Sequence, residues 1–99
     1  MVDELLSKAI VAWTGFETSR TPSREERRVV ERLGADVAVE LMPRVRELED
    51  DFYASNARWV ASDLVDMGNR ATADFREKHP EISTEAVEAF AWCYTYDYK

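Results

Sequence analysis

Four arginines, Arg20, Arg24, Arg27 and Arg28, gather around Thr21-Pro22, a dipeptide that starts helices. The Thr hydroxyl caps the first free N–H groups, and Pro suits the first helical position. On such a helix Arg24 and Arg28 share a face, and Arg20 reaches the same end from the preceding loop. Cations at a helix N-terminus oppose its macrodipole. Free N–H groups beside guanidinium forks suit a phosphate or a carboxylate. The competing expectation pairs these arginines with Glu25, Glu26 and Glu31, all within one or two turns.

The other reactive side chains promise less. His79 is the only histidine, and no acid stands three residues before it, as a di-iron bundle would need. Placed before Pro80, it is expected to offer a ring nitrogen to the last carbonyls of a helix. Cys93 lies between Trp92 and Tyr94 with no cation nearby to activate it, and is expected as a small buried hydrophobe. Asp63 and Asp66 fall one turn apart, at positions 1 and 4 of what superficially suggests a calcium loop. Such a loop needs oxygen ligands at 1, 3 and 5, so they are expected as surface charges. No phosphate loop, zinc-protease motif or nucleophile elbow is present. Neither a metal, a cofactor nor a catalytic residue is expected.

The C-terminal stretch is the strongest anomaly. Phe90, Trp92, Tyr94, Tyr96 and Tyr98 place an aromatic at every second residue. Alternation is a strand signature, but the preceding segment is capped and spaced as a helix. On a helix, Phe90, Tyr94 and Tyr98 share one face while Trp92 and Tyr96 take the other. A helix apolar on both sides must be covered on both sides, and Tyr and Trp are favoured interface anchors. Trp92, Tyr94, Tyr96 and Tyr98 are therefore candidate interface residues, with internal packing as the competing expectation. The acidic turn containing Glu47, Glu49, Asp50 and Asp51 adds a second candidate face. Glu47, Asp50 and Asp51, with Glu81, Glu85 and Glu88, would select a basic protein through salt-sensitive steering, unless they form a merely solvated face.

The elements that must position these groups are helical. The chain of 99 residues has few helix breakers, three Gly and three Pro, and its 45% hydrophobic and 33% charged residues describe a globular protein. One domain, residues 1–99, is expected. Apolar spacing gives helices at roughly 3–13, 22–42, 44–78 and 84–95, an all-α small bundle of about four helices. Gly15 suits a left-handed cap after the first helix, with a loop over 14–21. Gly34 falls inside the second pattern, and Pro43 stops that pattern near Met42 or kinks it. The stripe Val45, Leu48, Phe52, Trp59/Val60, Leu64, Met67, Ala71 and Phe75 then keeps helical period. A continuous helix there would be about 52 Å long, in a domain whose radius of gyration should be about 13 Å. The unbroken phase favours one long helix; the alternative is a break near Ser55-Asn56 or Gly68-Asn69. Ser83 is the expected cap of the last helix. The helices at 22–42 and 84–95 would flank the long one, with the first helix as a lid.

Net charge is −7, with −4 in residues 34–56 and −3 in residues 80–99. No segment is strongly basic, so nucleic acid and anionic membranes are not expected partners. Glu26 to Leu41 has the outline of a helix-turn-helix with Gly34 in the turn. Its second helix, however, would present Asp36 and Glu40 to phosphates. No apolar run reaches the roughly 20 residues that span a bilayer. Met1-Val2-Asp3-Glu4 lacks the basic start of a secretory signal. A cytoplasmic location is expected, in line with the single cysteine. The expected function is a non-enzymatic module that binds another protein or a second copy of itself. An anion-binding helical protein using the arginine cluster is the alternative.

Overall fold

In the computed structural model, which describes residues 2–16 and 18–99, the chain forms six helical segments. Met1, and Glu17 of the loop expected over 14–21, lie outside the described residues. No strand occurs among the described residues, so the all-α bundle is observed.

The first helix, α1 (Glu4–Thr14), starts at Asp3, whose carboxylate accepts from Leu6 N–H. It ends at Gly15, whose φ of 77° is the left-handed conformation that a side chain disfavours. Leu6, Ser7, Ile10, Val11 and Thr14 are all buried, so α1 is enclosed on several sides. It packs against the second, third and sixth helices and is a central element of the core, not a lid.

The second helix, α2 (Glu26–Leu33), starts four residues later than Thr21-Pro22 would place it. Residues 22–25 instead run as an irregular arm that is tied back by Ser23 N–H to Thr14 C=O and Glu25 N–H to Trp13 C=O. These bonds to the end of α1 replace the helical turn that Pro22 would have begun. Gly34 does not continue α2. At φ 94° and ψ 155° it takes a conformation nearly reserved for glycine. Its N–H closes α2 on Val30 C=O while its C=O opens the next helix on Ala38 N–H.

That helix, α3 (Ala35–Tyr53), runs through Pro43. Proline removes one intrahelical bond and crowds the preceding turn, yet Pro43 faces solvent while Ala38, Met42, Val45, Leu48 and Phe52 are buried. The continuous core stripe carries the helix past the defect. A single turn, α4 (Ala57–Val60), and α5 (Leu64–Lys78) follow. The long helix is therefore broken twice, near Ser55-Asn56 and again at residues 61–63, whereas Gly68-Asn69 lies within α5. At the first break Ser55 Oγ accepts from Ala57 N–H, and Arg58 Nη1 donates to the carbonyls of Tyr53 and Ser55. At the second, Asp63 caps α5 by accepting from Asp66 N–H at 2.8 Å. The Asp66 carboxyl is itself held below the usual carboxylate range by Ser62 N–H and Arg70.

The last helix, α6 (Thr84–Asp97), starts at Ser83 as expected, the hydroxyl accepting from Ala86 N–H. Ser83 N–H donates to the buried Ser7 Oγ at 3.0 Å, and Asp3 N–H to Glu81 C=O at 2.7 Å, fastening α1 to the start of α6. The Cα radius of gyration is 13.0 Å, the value expected for this length. Phe52 sits at the centre, its ring 5.2 Å from Phe75, 5.7 Å from Phe90 and 5.6 Å from Tyr94.

Candidate functional site

The four arginines do not converge on one point: Arg24 is turned away from Arg27 and Arg28. Arg24 lies in the arm before α2 and reaches inward to Glu49 at 3.2 Å, Tyr53 Oη at 2.7 Å and Asp97 at 3.2 Å. Burial is the largest single influence and works against its charge, but Glu49, Tyr53 and the bond to Asp97 act together to strengthen the guanidinium's hold on its proton. Glu49 also accepts from Trp13 Nε1 at 2.7 Å. Tyr53 donates to Asp97 at 2.5 Å, and its own burial together with that bond raises the phenol well above its usual range. This network joins the arm, α1, α3 and α6.

Arg28 points the other way. It donates to Ala12 C=O at 2.7 Å, Trp13 C=O at 3.0 Å and Ser23 C=O at 2.8 Å, and pairs with Glu25. Arg27 is exposed between Glu25 and Glu31, each 3.8 Å away, and Arg20 is exposed in the loop. A groove of about 440 Å³ gathers Arg27 and Arg28 with Arg32, Glu31, Thr18, Val11 and Ala12. Arg32, which the sequence did not single out, takes the place that Arg24 was expected to fill.

The remaining reactive groups are held internally. His79 does not serve the α5 carbonyls. Its Nε2 donates to the Asp51 carboxylate at 3.0 Å, and its ring lies tilted against Phe75, the centroids 4.8 Å apart. Cys93 is wholly buried, and burial pushes its thiol up to about 12, leaving it protonated at neutral pH. Among the described residues no cluster of three or more His, Cys, Asp or Glu is placed to hold a metal ion. The acidic turn is divided: Glu47 pairs with Arg44 at 2.5 Å, Asp51 is held by His79, and Asp50 is exposed. Asp36 and Glu40 are exposed on α3, the second helix of the helix-turn-helix outline.

The aromatic tail separates into core and surface. Phe90 and Tyr94 are entirely buried, so Tyr94 is not available to a partner in this structure. Its hydroxyl donates to Ser55 C=O and accepts from Arg58 N–H, both at 3.0 Å, and so fixes the position of α4. Tyr94→Phe should destabilise the fold by about 1.5 kcal/mol, because both groups lose a buried partner. Urea unfolding measures this, and an unchanged midpoint would show that the hydroxyl does not hold α4. Trp92 is half-buried, 5.5 Å from Phe16. Tyr96 and Tyr98 are 39% and 40% exposed, Tyr98 lying beneath the Arg58 guanidinium at 4.7 Å.

A group of exposed apolar side chains sits elsewhere, apart from Val39 on α3, which is 75% exposed. Trp59 is 76% exposed and Val65 73%, with Val60 and Leu64 about half exposed between them. Three of these four belonged to the stripe expected to be core, and Val65 was not singled out. The two breaks rotate this stretch away from the buried face that Phe52 and Met67 continue. Leu64 and Val65 lead into a shallow groove of about 480 Å³ between α5 and α6. Gly68, Thr72, Ala91 and Thr95 line it, Trp92 borders it, and Arg76 and Glu88 lie at its far end. A Cβ added at Gly68 would meet Thr95 Cγ2 at 3.3 Å, so α5 and α6 approach closely there.

Among the described residues no helix is long and apolar enough to cross a membrane. Comparison of the chain with protein-family models, with curated proteins and with solved structures finds no match.

Proposed function

We propose that this protein is a non-enzymatic interaction module whose binding face is formed by α4, the start of α5 and the outer side of α6. The observation that carries this reading is the run of exposed apolar side chains from Trp59 to Val65, continued by the groove that Trp92 borders. Scattered surface hydrophobes are ordinary, but apolar side chains gathered on one face mark association sites. A Trp at the centre of such a face is a frequent anchor. Tyr96 and Tyr98 extend the same region at the C-terminal end of α6, and the acidic faces aid selection. Nucleic acid and membranes are not among its partners in this reading. A protonated, buried thiol suits a reducing compartment, and we place the protein in the cytoplasm.

The test uses the full chain as bait in extract of its native host. The wild type is expected to recover a protein at fixed ratio, either another protein or untagged copies of itself. Trp59→Ala/Val65→Glu is expected to lose at least about tenfold in recovery, as truncation of an aromatic anchor does. Both residues are largely exposed, so circular dichroism should be unchanged. Wild-type recovery by the double variant, or none by the wild type, would overturn the reading.

A second reading rests on the groove of Arg27, Arg28 and Arg32, whose three cations exceed the one carboxylate of Glu31 and would take an anionic group against Val11 and Ala12. It expects phosphate or a carboxylate to raise the melting temperature, with the gain lost in Arg27→Ala/Arg32→Ala. A flat response across both anions would sink it.

A further inference from the structure

Resting on the interaction reading above, we infer that the occupant of the α5–α6 groove is a second copy of this chain, docked about a two-fold axis that runs along the groove. Charge at the groove favours a second copy. Arg76 and Glu88 lie at one end of the groove, and among the described residues neither is in an ion pair. The two helices are joined by the five residues 79–83, which makes them antiparallel neighbours. The Gly68–Thr95 approach fixes their levels, setting Thr72 beside Ala91 and Arg76 beside Glu88.

A rotation of 180° about the groove lays each α5 on the other copy's α6. Arg76 then faces the second copy's Glu88, and Glu88 faces the second copy's Arg76, which is the self-complementarity an isologous interface requires. The shape of the groove favours it too. Glu88, Trp92 and Thr95 are spaced by four and then three, as are Val65, Asn69 and Thr72, the spacing of seams that pack helix on helix. Opposite Trp92 the second copy presents the small residues Gly68 and Thr72, so the largest side chain of the groove meets the residues that leave it most room.

A strongly basic partner is the less fitting occupant. The chain is acidic overall at −7, yet this groove carries one charge of each sign. Two copies thus meet here without the repulsion that their other faces would impose, whereas a basic partner would find its complement on the acidic faces instead.

Charge exchange tests the geometry. Sedimentation equilibrium of the purified full chain should show a dimer in the micromolar range. Arg76→Glu and Glu88→Arg should each weaken it by about tenfold, because each creates two like-charge contacts. An equimolar mixture of the two variants should recover association, since both contacts become complementary again in the mixed dimer; so should the double variant. Both positions are exposed, and unchanged melting curves would confirm that folding is not the cause. A wild type that stays monomeric to several hundred micromolar would overturn the second copy as occupant. Recovery of a different protein by the same wild type, lost in Trp59→Ala/Val65→Glu, would then leave the interaction reading standing. Single variants that dimerise like the wild type, or a mixture that fails to recover, would overturn the two-fold arrangement.

Discussion

Phe52→Ala should cost about 4 kcal/mol, the middle of the range for deleting a buried aromatic. The side chain is 1% exposed, and its ring meets Phe75 of α5 and both Phe90 and Tyr94 of α6. A tightly packed interior relaxes only in part around the space left. A domain of this size has a total stability on the order of 5–15 kcal/mol, so the variant should be largely unfolded at modest urea concentrations. Phe52→Leu, which keeps most of the volume, should lose about 1.5 kcal/mol. Urea unfolding followed by far-ultraviolet circular dichroism separates the two. A loss below about 1 kcal/mol in the alanine variant would mean that Phe52 does not join α3 to α5 and α6.

The same residue marks where the sequence stopped being readable. Periodicity placed Val45, Leu48, Phe52, Met67, Ala71 and Phe75 in the core, and all six are buried. It also carried the phase through Trp59, Val60 and Leu64, which are exposed. Periodicity reports which residues share a face only while the helix is continuous. The two breaks depend on long-range bonds, such as Tyr94 Oη to Ser55 C=O, and on the Asp63 cap. A cap residue is visible in a sequence, but the tertiary bond that makes a break favourable is not.

Glycine and proline show the same division. Gly15 at the end of α1 and Ser83 at the start of α6 are local devices, and their spacing was sufficient to place them. Gly34 and Pro43 exchange the roles expected of them, the glycine breaking and the proline being spanned. The choice is set by packing, because Ala38 and Met42 must both reach the core on one helix. The candidate site followed suit. Trp92, Tyr96 and Tyr98 were legible as candidate surface aromatics. Trp59 and Val65 were not, since an apolar residue looks the same whether a break exposes it or a partner helix covers it.

Arg28→Ala should destabilise the fold by about 3 kcal/mol, from the loss of several bonds to one charged group and the carbonyls left behind. Ala12 and Trp13 supply two of the last carbonyls of α1, where a cation also complements the helix dipole. The guanidinium further binds Ser23 C=O and Ser23 Oγ, so it locks the arm before α2 onto the end of α1. Gly15 is part of the same device: a Cβ there would come within 2.8 Å of Arg28 Nη2, in addition to the strain of its positive φ. Arg28→Lys should recover less than half of the loss, because an ammonium cannot reproduce a planar fork directed at several acceptors. For a chain of this length, about 3 kcal/mol corresponds to roughly 12–24 °C in Tm, which a thermal melt resolves easily. This outcome also bears on the anion reading. If Arg28 is chiefly a cap, phosphate will not restore the Tm of Arg28→Ala, since an anion is repelled by the orphaned carbonyls at the negative end of the α1 dipole. A variant as stable as the wild type would instead release Arg28 from the fold and return it to the ligand groove.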